Sequence, residues 1–100
     1  MTQARENKAT SLTFRLKTWP KFFNATALKQ KSFEVRRADR DFQPMDSLKL
    51  EEFDPDKGKY TGRYIYVVIL AIYRDIPGLL ADYCAMEVRR ITEVQIEESV

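Results

Sequence analysis

Lys31-Ser-Phe-Glu-Val-Arg-Arg37 puts a lysine, a carboxylate and two guanidiniums within seven residues. Read as a strand, Ser32 to Arg37 alternates with a period of two. Phe33 and Val35 are then expected in a core, with Ser32, Glu34 and Arg36 on the other face. A carboxylate and a guanidinium would stand side by side. Beyond them come Arg37, Asp39, Arg40 and Asp41, an arrangement suited to gripping a polar, anionic ligand.

The chemistry open to these groups is recognition. An arginine holds a phosphate or a base edge through its planar fork, a lysine supplies a point charge, and a carboxylate accepts from an exocyclic amine. Lys31, Glu34 and Arg36 could together recognise a nucleotide; the plainer alternative is a cross-face ion pair with an exposed lysine nearby. Arg37, Arg40, Lys17, Arg15 and Lys29 are candidates for contacts to a phosphate backbone. Arg40 could equally pair with Asp39 or Asp41 and fix its loop. Trp19, Phe42 and Tyr60 are of the type that stacks on unpaired bases, or that packs at a core or rim. Phe42, ending a charged loop, reads as a plug.

Other chemistries are narrowed by what the chain lacks. It has no histidine and one cysteine, so a zinc site and a Ser-His or Cys-His nucleophile are excluded. Asp54-x-Asp56-x-Gly58 has the start of a calcium loop, but the twelfth position is Ile65 rather than a bidentate glutamate. No cofactor is expected. Cys84, among apolar neighbours, reads as a reduced, buried thiol.

One hundred residues with 44% apolar content suit one domain. There is no apolar run of roughly 18 residues and no secretory signal pattern, so no membrane span is expected and the cytoplasm is the expected location. The net charge of +2 hides an asymmetry: residues 1 to 42 hold ten Lys and Arg against four acids, and residues 43 to 100 hold seven against eleven. Halves of +6 and −4 can guide a polyanion to one face, or interleave on a solvated surface.

The elements that would position these residues follow from periodicity. Residues 1 to 10 read as a loose N-terminal arm and 92 to 100 as an acidic C-terminal tail, with the domain between, at 11 to 91. A first strand covers Leu12 to Lys17, with Leu12, Phe14 and Leu16 inward. Pro20 opens a helix to about Lys29, with Phe23 and Ala27 on its apolar face and Trp19 at its entrance. Strands are expected at Ser32 to Arg37 and Ser47 to Phe53, then a turn around Gly58. Tyr64 to Tyr73 is an unbroken apolar run of ten, read as a strand covered on both faces. A last strand from Tyr83 to Ile91 puts Cys84, Met86 and Val88 inward. Five strands and one or two short helices predict an α+β fold, a small and mainly antiparallel barrel.

The order Leu16-Lys17, Pro20, Phe23, Lys31-x-Phe33-Glu34-x-Arg36, Asp39-Arg40-x-Phe42, Asp46, Leu48, Leu50-x-Glu52, Asp54, Tyr60-Thr61-Gly62-Arg63 and Gly78-Leu79 through Tyr83 resembles the small bacterial and phage proteins grouped as DUF3850. That group lies in the ASCH clan of PUA-like folds, and the resemblance covers about residues 12 to 90. It implies a PUA-like barrel with a basic cleft for RNA or a nucleotide. The clan's Gly-x-Lys-x-x-Glu-x-Arg signature falls on Lys31, Glu34 and Arg36, with Lys29 in place of the glycine. Phe14 stands where the family often has His, and Met45 where it often has Gly. The expected binding set is Lys17, Lys31, Glu34, Arg36, Arg37 and Arg40, with no catalytic residue. Two other readings stay open. One is a phage-type interaction module acting on a host protein. The other is an N4-acetylcytidine amidohydrolase-like enzyme, in which Lys31 would match the catalytic lysine but the hydroxyl position falls on Glu34.

Overall fold

The computed structural model describes residues 10 to 97. The expected arm therefore lies outside the described residues, save Thr10, as do 98 to 100 of the expected tail. The elements run β1 (Thr13–Thr18), α1 (Pro20–Ala27), β2 (Phe33–Arg37), β3 (Ser47–Asp54), β4 (Lys59–Tyr73), β5 (Tyr83–Arg90) and β6 (Gln95–Ile96). The sheet order is β1-β3-β4-β5-β2, with β6 on β4; β1 and β3 are parallel and the other pairings antiparallel. The sheet curls into a half-barrel, as the mainly antiparallel α+β reading expects. β1 and β2 are its two ends, and they meet across an open seam.

Alternation builds the core. Leu48 and Leu50 from β3, Ile65, Val67 and Ile69 from β4, and Cys84, Met86 and Val88 from β5 all point inward. Burying a side chain of this size contributes about 1.5–3 kcal/mol. Phe23 caps the core from α1. Phe42, from the loop after β2, plugs it beside Phe14, their rings edge to face at 4.9 Å. Asp46 holds that loop: its carboxylate accepts from the Leu12 N–H at 2.9 Å and the Gln43 N–H at 3.0 Å.

Three expectations about elements need correction. The apolar run of β4 is covered on both faces only around Val67 to Ile69. A register shift between Ile69 and Ala71 turns Leu70 outward, and Tyr73 is half-exposed. Leu12 precedes β1 and is exposed rather than inward. The helix stops at Ala27 rather than near Lys29, because Lys29 takes a left-handed conformation, φ +60°, and the chain turns away. The Gln30 and Lys31 N–H groups fold back onto the Ala25 carbonyl at 2.8 and 3.1 Å. The region read as a tail supplies β6, which continues along β4 where β5 leaves it. No helix among the described residues is long and apolar enough to cross a membrane.

Candidate functional site

The face of β2 is the main surprise. Phe33 and Val35, expected inside, are 52% and 45% exposed, whereas Glu34 is 2% exposed. Alternation fixes which residues share a face but not which face is buried. Burial of Glu34 is tolerable because its charge is compensated, and an unpaired buried carboxylate would be costly. Lys31, in the turn before β2, places its ammonium against Glu34 Oε2. Arg36, two residues on, donates from Nε to Glu34 Oε1 at 3.0 Å.

Arg36 also spans the seam. Nη1 donates to the Lys17 carbonyl at 2.9 Å and Nη2 to Thr18 Oγ1 at 3.1 Å, tying β2 to β1. The Thr18 hydroxyl in turn donates to the Leu16 carbonyl at 3.3 Å. Two cations thus share one carboxylate, and the triad carries a surplus positive charge at the seam.

Above the triad opens a cleft of about 430 Å³. Lys17, Thr18, Lys31, Glu34 and Arg36 form its polar part; Trp19, Phe22, Phe33 and Val35 form its apolar walls. The three aromatic rings are about half-exposed, at 55%, 47% and 52%. Pro20 at the first turn fixes how the helix leaves β1, so Trp19 at the N-cap and Phe22 three residues on flank the same opening.

Of the six expected binding residues, the cleft brings together Lys17, Lys31, Glu34 and Arg36. Lys17 contributes its carbonyl to the triad, while its ammonium lies over the Phe53 ring at 4.1 Å. Arg37 and Arg40 are elsewhere. Arg37 follows Arg36 on the opposite face and stands 3.6 Å from Asp82. Arg40 Nη1 donates to the Arg15 carbonyl at 3.1 Å, a second strap across the seam rather than a partner of Asp39 or Asp41. Among the expected stacking rings only Trp19 lines the cleft; Phe42 is the core plug, and Tyr60 packs edge to face on Phe53 at 5.1 Å. Thr18, Phe22 and Phe33 were not foreseen as lining groups. For Phe22 the signal was its three-residue spacing from Trp19.

Two further buried carboxylates lie on β3. Glu51 accepts both donors of Arg15, at 3.0 and 2.9 Å, and that hydrogen-bonded guanidinium holds its pKa below the usual range. Arg63 does the same to Glu52, at 2.8 Å for each bond, helped by the Thr61 hydroxyl at 2.7 Å. Cys84 is free and buried, as expected, and burial pushes its thiol pKa up.

The chain is thus a half-barrel of the α+β class with a cationic, aromatic-rimmed cleft at its seam. The chain belongs to the family described as Domain of unknown function (DUF3850), which it matches over residues 13–88. No curated protein matches it.

Proposed function

We propose that the cleft binds an unpaired nucleotide, in RNA or free. The observation that carries this reading is the set of three half-exposed aromatic rings, Trp19, Phe22 and Phe33, around the Lys31–Glu34–Arg36 triad. A base stacks on such rings for about 1–3 kcal/mol, and the surplus positive charge beneath them suits a phosphate-bearing ligand. The cleft volume is that of a small-molecule site. The resemblance to the ASCH clan of PUA-like folds, whose signature residues are these three, supports the same reading.

In this reading Glu34 takes a supporting role. Glu34 lies beneath Lys31 and Arg36, so it serves to aim and hold the two cations, and the readout of the base falls to them and to the rings. Binding is favoured over the amidohydrolase-like alternative because the groups such an enzyme would use are already engaged. Lys31 is held by Glu34, and the hydroxyl that lines the cleft, Thr18, is engaged by Arg36 and the Leu16 carbonyl.

Trp19 is the only tryptophan, so its fluorescence reports on the cleft alone. Titration with nucleoside monophosphates and short RNA is expected to quench it, and Arg36→Gln to remove the response. Unchanged emission at saturating ligand would count against this function and favour a protein partner.

A further inference from the structure

A second cavity, about 320 Å³, adjoins the first through Lys31, between the end of α1 and the end of β5. Lys29, Lys31, Arg89 and Arg90 line it with the hydroxyl residues Thr26 and Ser32, and its lining includes no carboxylate. The end of a helix ordinarily repels an anion, because its last carbonyls are unpaired and carry the negative end of the dipole. Here they are taken. Asn24 C=O accepts from the Leu28 N–H, Ala25 C=O from Gln30 and Lys31, and Thr26 C=O from Lys29. Ala27 C=O accepts from Arg90 Nη1 at 2.6 Å, and Arg90 is steadied on its outer side by Glu93 at 3.1 Å.

Two cations are left over. The side chains of Lys29 and Arg89 make no hydrogen bond or ion pair among the described residues.

We infer that this cavity is a phosphate site, holding the phosphate attached to the base that the first cleft takes. The inference rests on the nucleotide reading of that cleft, but the anion site is testable by itself. Isotope-labelled protein is titrated with inorganic pyrophosphate, a nucleoside, its 5′-monophosphate and a dinucleoside monophosphate. Pyrophosphate is expected to move the amide signals of Lys29, Ser32, Arg89 and Arg90, and the nucleoside those of Trp19 and Arg36. A double variant, Lys29→Gln with Arg89→Gln, should bind pyrophosphate and the phosphorylated ligands at least roughly tenfold more weakly, the loss of one charge-assisted hydrogen bond. Its nucleoside affinity should be unchanged.

The ligand series separates the sources of phosphate. A gain over the nucleoside shared by the dinucleoside monophosphate supports the site as one for an RNA backbone. A gain confined to the 5′-monophosphate supports it as one for a free nucleotide. Pyrophosphate signals outside this cavity, or equal pyrophosphate affinity in the double variant, overturn the inference whatever the nucleoside does. Pyrophosphate bound here with no nucleoside response at Trp19 keeps the anion site and refutes the reading of the first cleft.

Discussion

Glu34 and Glu52 are both carboxylates on strands, 2% and 4% exposed, and each is gripped by an arginine that reaches a second element. Around Glu52 the charges balance. Arg63 spends its donors on the two carboxylate oxygens and on Asn24 Oδ1 at 2.9 Å, with its guanidinium 5.0 Å from the centre of the Phe23 ring. That network closes α1 onto the sheet. Around Glu34 two cations answer one carboxylate, and the excess faces a cleft. Ion pairing alone therefore does not mark a site. Unbalanced charge beside exposed rings is what supports the proposed one.

The largest effect should come from breaking the closed network. Arg63→Ala leaves Glu52 buried and without its cation, at a cost of about 3–5 kcal/mol in urea unfolding. Arg36→Ala leaves Glu34 still paired with Lys31 and should cost less, about 1–3 kcal/mol, while abolishing ligand binding. Equal stability losses would break the contrast between the balanced and the unbalanced network.

Acid should sharpen it. The folded-state pKa values of Glu51 and Glu52 lie below the ordinary 4.5, through their hydrogen bonds to Arg15 and Arg63. Each therefore contributes stability that is fully present above 4.5 and is lost as pH falls through the depressed folded value. Urea midpoints of the wild type should drop steadily below about pH 4.5, and Glu52→Gln, already weaker, should drop less steeply. Parallel pH profiles would mean that Glu52 is not held in this way.

The smallest expected effect concerns strain. Met45 sits at φ +75° with a largely exposed side chain, and Met45→Gly should stabilise the fold by about 0.5 kcal/mol, raising Tm by roughly 2–4 °C. A lower Tm would show that the methionine side chain has packing value there.

Much of this was legible beforehand. Alternation placed β1, β3 and β5 and their inward residues apart from Leu12, the apolar run placed β4 without its faces, and the spacing of Lys31, Glu34 and Arg36 announced a cluster. The face of β2 was not legible, because hydrophobicity alone pointed Phe33 and Val35 inward. Only Thr18 and Lys17, from a strand 18 and 19 residues away, show how the polar face is satisfied. Nothing in the sequence paired Glu51 with Arg15 or Glu52 with Arg63. A register shift between Glu51 and Phe53 breaks the alternation, and both carboxylates are buried against arginines distant in sequence. Arg37 and Arg40 carried the right charge, but the first is on the wrong face and the second holds a carbonyl.

The central claim is tested most directly by the salt dependence of binding to a single-stranded RNA oligonucleotide. With about three phosphate contacts, affinity should fall with a log–log slope of roughly −2. Arg36→Gln should weaken binding, whereas Arg37→Ala, beside Asp82 and outside the cleft, should leave both affinity and slope unchanged. No measurable binding of the wild type at low salt would contradict the account and put a protein partner first.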